Sequence, residues 1–140
     1  MEVRFTVLGC PQSKQRPRAS VINGHARMYT PKETVNYENL VRYTYQKEVG
    51  KKLEGAIEMT VKAYFPIPKS VSKKQHTIMA TETYPCTKLK DIDNTCKVCM
   101  DSLLKVAYDD DRQVYRLIGE KWYSETPRVE IILRENDDIG

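Results

Sequence analysis

The stretch Asp91-Ile92-Asp93-Asn94-Thr95-Cys96-Lys97, continued through Asp101 to Asp109-Asp110-Asp111-Arg112-Gln113, decides how the chain is read. Between its acidic ends, Thr95, Val98, Cys99, Ser102, Leu103 and Val106 recur at steps of three and four. That period predicts a helix from Asn94 to about Tyr108 with one face toward a core. Asp93, Lys97, Asp101 and Lys105 form a second, charged stripe. Six carboxylates thus fall between positions 91 and 111. Carboxylates repel one another, so gathering them costs stability unless a cation compensates. Acidic oxygens with room for water suit hard divalent ions. The expectation is a metal-dependent enzyme acting on phosphate esters.

Downstream, residues 113–123 and 128–134 read as strands, the second alternating Val129, Ile131 and Leu133, with interruptions at Gly119 and at the turn around Ser124 to Pro127. Upstream, residues 81–90 look irregular. Ser72 and Gln75 have capping-box spacing for a short helix to about Ala80. Ile57, Met59, Val61, Ala63 and Phe65 alternate as a half-buried strand, stopped by Pro66-Ile67-Pro68. Thr30-Pro31-Lys32-Glu33 predicts a helix capped by Thr30, with Pro31 at its first position and Gly50 at its end. Val35, Tyr37, Leu40, Val41, Tyr43, Tyr45 and Val49 are its apolar positions. Residues 2–9 alternate as a first strand. The result is an α/β (α+β) fold: a small mixed sheet of about four strands with two main helices. It forms a single domain over residues 3–134, and residues 135–140 are expected to fray.

At 140 residues the chain suits one domain with a real core. Its 40% hydrophobic and 30% charged content is ordinary for a globular protein. No run approaches the ~18 apolar residues of a membrane span. The N-terminus lacks the features of a signal peptide, so the cytoplasm is the expected address. Residues 1–90 carry 16 Lys/Arg against 7 Asp/Glu, and residues 91–140 carry 7 against 12. A basic part joined to an acidic part suits a protein that holds a polyanion with one surface and processes it with another. Uneven but merely solvated charge is an equal reading on these numbers alone.

The segment Cys10-Pro11-Gln12-Ser13-Lys14-Gln15-Arg16-Pro17-Arg18 is spaced by prolines that neither helix nor central strand tolerates. An exposed loop is expected, with Lys14, Arg16 and Arg18 gripping phosphates. Lys73 and Lys74 add to the same positive side. Cys96 and Cys99 have zinc-ligand spacing, but no second pair completes a tetrahedral set, so small buried thiols are the better reading. Tyrosines at helical spacing are read as core or subunit contact rather than as base-stacking groups.

Helix capping accounts for one or two of the acids near Asp91 and leaves the second cluster unexplained. If the clusters converge, Asp91, Asp93 and Asp111 hold one or two Mg²⁺ ions, and Lys97, one turn after Asp93, stabilises the phosphorane-like transition state. A plain i,i+4 ion pair with Asp93 and Asp101 is the bland role for Lys97. A helix of about 14 residues is ~21 Å long, which carries Asp111 away from Asp91. Convergence therefore needs a shorter helix or a bend. An EF-hand is excluded because its required Gly and Glu fall on Cys96 and Ser102. An aspartyl-phosphate motif is excluded because Thr87-Lys88-Leu89-Lys90, not an apolar strand, precedes Asp91.

Asp91-x-Asp93-Asn94-x-x-Lys97, then Asp101-x-Leu103, then Asp110-Asp111-x-Gln113-Val114 closely resembles the signature of RusA-type Holliday-junction resolvases. Lys14-Gln15-Arg16-Pro17-Arg18 resembles the N-terminal segment of that family. The resemblance implies a small homodimer, of bacterial or of phage or prophage origin, that resolves four-way DNA junctions by paired nicks in recombination and repair. It implies Mg²⁺, with Mn²⁺ as the alternative. By position, it makes Asp91, Asp93 and Asp111 the metal-binding carboxylates and Lys97 the catalytic lysine, with Asp101 and Asp110 as further acidic positions. A C2 dimer supplies two sites for two symmetric strands, and assembly is another route to bringing the carboxylates together. Two other readings stand beside it. A non-catalytic nucleic-acid-binding protein would bind without Asp91, Asp111 or a divalent ion. A metal nuclease for flaps or other branched DNA would cut those as well as junctions.

Overall fold

The computed structural model describes residues 1–136. In chain order its elements are β1 (Glu2–Leu8), β2 (Arg18–Ile22), β3 (His25–Tyr29), α1 (Lys32–Glu48), β4 (Ala56–Pro66), α2 (Lys73–Met79), α3 (Ile92–Leu103), β5 (Val114–Ser124) and β6 (Arg128–Asn136). The alternation in β4 puts Ile57, Met59, Val61, Ala63 and Phe65 on one buried face, as expected of a central strand. The sheet order is β1-β6-β4-β5, with β6 antiparallel to both neighbours and β5 parallel to β4. Parallel neighbours need a long crossover, and the segment carrying α2 and α3 supplies it. The mixed four-stranded sheet is the one expected.

Phe5 and Val7 of β1 and Val129, Ile131 and Leu133 of β6 complete the apolar face of the sheet. Against it lie Tyr37, Val41 and Tyr45 of α1 and Val98, Cys99 and Leu103 of α3. The Phe5 and Tyr45 rings meet edge to face, 5.1 Å between centroids. Cys96 and Cys99 are core thiols, as read from the sequence.

Several local expectations are corrected. Pro31, with ψ 144°, stands outside α1 as its cap, and its carbonyl accepts from Val35 N–H. Thr30 is therefore one residue too early to cap the helix. Gly50, at φ +65°, ends it as expected, donating to the Tyr45 carbonyl. Only Thr34, Tyr37, Val41 and Tyr45 of α1 are buried, so Val35, Leu40 and Tyr43 face outward. Helix α3 stops at Leu103, because Lys105 turns left-handed at φ +73° and the N–H groups of Val106 and Ala107 fold back onto the Leu103 carbonyl. Strand β5 passes through Gly119 without interruption. Glu135 and Asn136 belong to β6, where fraying was expected; residues 137–140 lie outside the described residues.

The β2–β3 hairpin was not anticipated. Its turn, Asn23-Gly24, has φ of +53° and +78°, the two-residue turn whose twist matches antiparallel strands. Arg18 consequently starts a strand rather than sitting in the loop before it. That loop is half-buried over Gln12–Gln15 instead of exposed.

Candidate metal and nucleic-acid site

Asp91 occupies the N-cap of α3, but its carboxylate accepts no capping hydrogen bond. Its backbone carbonyl does the local work, accepting from Thr95 N–H at 3.0 Å and from Thr95 Oγ1 at 2.8 Å. The Asp91 side chain receives only a long contact from Asn94 Nδ2 at 3.5 Å. Asp93 lies in the first turn, exposed, where the helix dipole favours its charge. Helix capping therefore does not consume the Asp91 carboxylate, and an exposed acidic pair opens the helix.

Close packing fixes that pair. A β-carbon built on Gly119 would stand 2.8 Å from Cys96 Sγ and 2.9 Å from Ile92 Cγ1. Glycine in β5 thus lets the first turn of α3 settle onto the strand. The incoming segment is strapped down as well. Pro85 bridges to Trp122, Cys86 N–H donates to the Lys121 carbonyl, and Lys121 Nζ donates to the Lys90 carbonyl. Farther back, Arg128 holds Glu82 through Nη1 at 2.8 Å and Nη2 at 3.0 Å, while its guanidinium stacks 4.0 Å over Tyr64. These hydrogen bonds raise the Arg128 pKa above its ordinary value against the opposing effect of burial.

An open cleft of about 500 Å³ borders the pair, and Lys88, Lys90 and Lys121 line it together with Asp91 and Asp93. Carboxylates suit a hard cation and the surrounding ammonium groups suit phosphate oxygens. The three lysines were missed from sequence. Lys88 and Lys90 directly precede Asp91, but only the fold brings Lys121 beside them.

Lys97 is exposed one turn beyond Asp93 and, among the described residues, makes no ion pair. The bland pairing with Asp101 is not formed, because Asp101 is engaged elsewhere. Lys14 Nζ lies 2.9 Å from Glu38 and 3.2 Å from Asp101, tying α1 to α3, while Lys14 N–H donates to the Asn94 carbonyl at 2.9 Å. Burial pulls the Lys14 pKa down, but its bonds to the two carboxylates outweigh this and leave it above the ordinary lysine value. Lys14 is thus an internal tie, which corrects its expected place among phosphate-gripping residues. Arg16 and Arg18 are exposed, as are Lys73 and Lys74 on α2.

Around Asp111 the motif resolves into separate roles. Asp110 caps the short 3₁₀ turn Asp111–Gln113, accepting from Arg112 N–H at 2.9 Å and from the Arg112 guanidinium at 2.7 Å. These bonds hold the Asp110 pKa at about 2. Gln113 answers with Oε1, which accepts from the N–H groups of Asp109 and Asp110 at 3.0 Å, and its Nε2 donates to the Gly55 carbonyl. Asp109 pairs with Lys52 at 2.7 Å. Asp110 and Gln113 build the turn, and Asp111 is presented on it, exposed.

Asp91 and Asp93 open α3, whereas Asp111 follows its far end. The 12 residues of the helix span ~18 Å. Among the described residues no group of three or more His, Cys, Asp or Glu side chains is placed to hold a metal ion. One subunit therefore brings together Asp91 and Asp93 with lysines, but not Asp111 with them. The shorter helix does not close the gap.

Burial pushes the Cys96 thiol up to about 11 and moves Cys99 in the same direction, which suits packing rather than ligation. No described helix is long and apolar enough to cross a membrane.

A model of the family described as Endodeoxyribonuclease RusA matches residues 9–134. A protein of Bacillus subtilis (strain 168), named Uncharacterized protein YqaN, is 38% identical over 137 residues. That similarity covers 95% of this chain and 96% of the Bacillus protein.

Proposed function

Since the chain belongs to the RusA endodeoxyribonuclease family, whose members act on branched DNA as Holliday-junction resolvases, we propose that it resolves four-way junctions by paired symmetric nicks in recombination and repair. It does so as a homodimer in the cytoplasm, using Mg²⁺ or Mn²⁺; residues 3–134 are the endonuclease domain, and a phage or prophage setting fits. The observation that carries this reading is the exposed Asp91–Asp93 pair in a lysine-lined cleft, with the Asp91 carboxylate unused as a cap.

The donor set fits a divalent cation in part: two carboxylates from one chain, with room for water. Asp91 and Asp93 would hold it, and Asp111 would complete the set. When bound, the ion supplies a water of lowered pKa and offsets charge on the phosphate. Lys97 directs its ammonium at the reacting phosphate and stabilises charge that grows in the transition state. Lys88, Lys90 and Lys121 hold the neighbouring backbone phosphates, and Arg16, Arg18, Lys73 and Lys74 extend the cationic track. The length of α3 between Asp93 and Asp111 supports a site completed across the dimer, by Asp111 of the partner subunit.

The test is cleavage of a labelled four-way junction beside linear duplex in Mg²⁺, comparing the protein with Asp91→Asn. Paired nicks on the junction alone, lost in the variant while binding persists, are expected. Equal binding without cutting by both proteins, in Mg²⁺ and Mn²⁺ alike, would leave a DNA-binding protein and defeat the proposal.

A further inference from the structure

Of the β2–β3 hairpin, only Arg18 belongs to the DNA-binding surface proposed above. Directly opposed residues of a two-stranded ribbon share a face. Ala19 opposite Met28 and Val21 opposite Ala26 make one face. Arg18 opposite Tyr29, Ser20 opposite Arg27 and Ile22 opposite His25 make the other. The first face is wholly apolar, yet Val21 is 74% exposed and Met28 68%. A lone two-stranded hairpin is marginal in water, so an uncovered apolar face on one calls for an occupant.

Charge identifies that occupant. From Cys10 to Lys32 the chain has five Lys/Arg and no Asp or Glu. Lys14 is engaged internally, which leaves Arg16, Arg18, Arg27 and Lys32 facing solvent around the hairpin. An acid-free cationic segment complements a polyanion, and a two-stranded ribbon is narrow enough to enter a DNA groove. Apolar side chains of this kind cover base faces where stacking is broken. Linear duplex exposes no such faces along its length, whereas a branch point interrupts the stack.

Resting on the branched-DNA reading above, we propose that the hairpin is a branch-point probe. Its arginine face lies against backbone phosphates, and Val21 and Met28 cover base faces opened at the junction. The root of the hairpin is pinned to α3 through Lys14, by its N–H on the Asn94 carbonyl and its ammonium on Asp101. Contact with the branch is therefore registered against the helix that carries Asp91, Asp93 and Lys97, which sets the nick at a fixed offset from the branch.

The test measures binding, without divalent ions, to a four-way junction carrying 2-aminopurine beside the branch and to linear duplex of the same sequence. In the double variant Val21→Ser with Met28→Ser, junction affinity falls about tenfold while duplex affinity holds, the size expected for lost contacts to one base. The 2-aminopurine signal produced by the parent protein also disappears. Arg18→Ala with Arg27→Ala weakens both substrates and flattens the salt dependence. Retained junction preference and retained signal in the first variant would overturn the proposal. So would its dissociation to monomers in sedimentation, which would make the face a subunit contact. A parent protein with no junction preference would defeat the proposed function itself; a parent that prefers junctions and a variant that does too would defeat only the hairpin's role.

Discussion

Gly119 of β5 lies against Cys96 of α3 so closely that a β-carbon on the glycine would stand 2.8 Å from the cysteine sulfur. The same atom would meet Ile92 at 2.9 Å, so the helix start that presents Asp91 and Asp93 rests on a residue without a side chain. Gly119→Ala is expected to cost about 1–3 kcal/mol by overpacking and to lower cleavage by displacing the acidic pair. Adding Cys96→Ala should return part of the stability in urea unfolding, since one of the two clashes disappears. No loss in the single variant would mean that the helix does not bear on the strand.

How far the chain was legible follows from where each residue finds its partners. The face of β4 could be read because its neighbours in the sheet repeat its period. Asn23-Gly24 lies between the short alternations Ala19-x-Val21 and Ala26-x-Met28, but arms of five residues with both faces exposed lack the long buried run that makes a strand such as β4 legible. Lys14 was misread because charge density along the chain does not reveal Glu38 and Asp101, which arrive from α1 and α3. Gly119 read as a break because its reason, the approach of Cys96 and Ile92, lies in a different element. Asp110-Asp111-x-Gln113 was recognised as a motif, yet only hydrogen bonds separate the turn-building pair from the carboxylate it presents.

Lys14 and Arg16 are two residues apart and should behave oppositely. Lys14→Ala strips the ammonium from two partly buried carboxylates and is expected to cost about 1–3 kcal/mol in thermal unfolding. Arg16→Ala should leave the melting temperature alone and reduce the salt slope of DNA binding by about one contact. The Lys14 pKa is raised on folding, so its contribution is complete below 10.5 and is lost as pH rises through the higher folded value. Comparing the parent with Lys14→Met across pH 9 to 12 checks the sign; a gap that widens with pH contradicts it.

Asp110 gives the reverse pH dependence. Its pKa is held at about 2, against 3.8 ordinarily, first by the Arg112 side chain and then by the Arg112 backbone N–H. Its contribution is present above 3.8 and fades as pH falls toward about 2. Asp110→Asn should flatten that acid-side loss, and carboxyl NMR titration of the parent should report the low pKa directly. Gln113→Ala, which frees the N–H groups of Asp109 and Asp110 and the Gly55 carbonyl, should cost about 1 kcal/mol and lower cleavage by loosening Asp111.

Arg128 anchors the approach to the cleft at a distance from it. Arg128→Ala would leave Glu82 and Glu130 without their cation and remove the stack on Tyr64. A loss of about 2–4 kcal/mol is expected, with faster amide exchange at Cys86, whose N–H bonds to β5. Unchanged exchange at Cys86 would show that the clamp does not restrain the segment leading to Asp91.

The placement of Asp91 and Asp111 at opposite ends of α3 leads to a complementation experiment. Asp91→Asn and Asp111→Asn should each abolish cleavage, in keeping with one set of ligands. If the set is shared across a dimer, a mixed dimer combines the intact Asp91 of one subunit with the intact Asp111 of the other, restoring one site while the second carries both substitutions. Refolding the two inactive variants together should then regain cutting, as single nicks rather than paired ones, because only one strand meets a working site. If each site is built within one chain, both sites of the mixed dimer remain damaged and the mixture stays inactive. Single nicks that appear only after mixing would therefore distinguish a site completed by the partner from one completed by bending within the subunit.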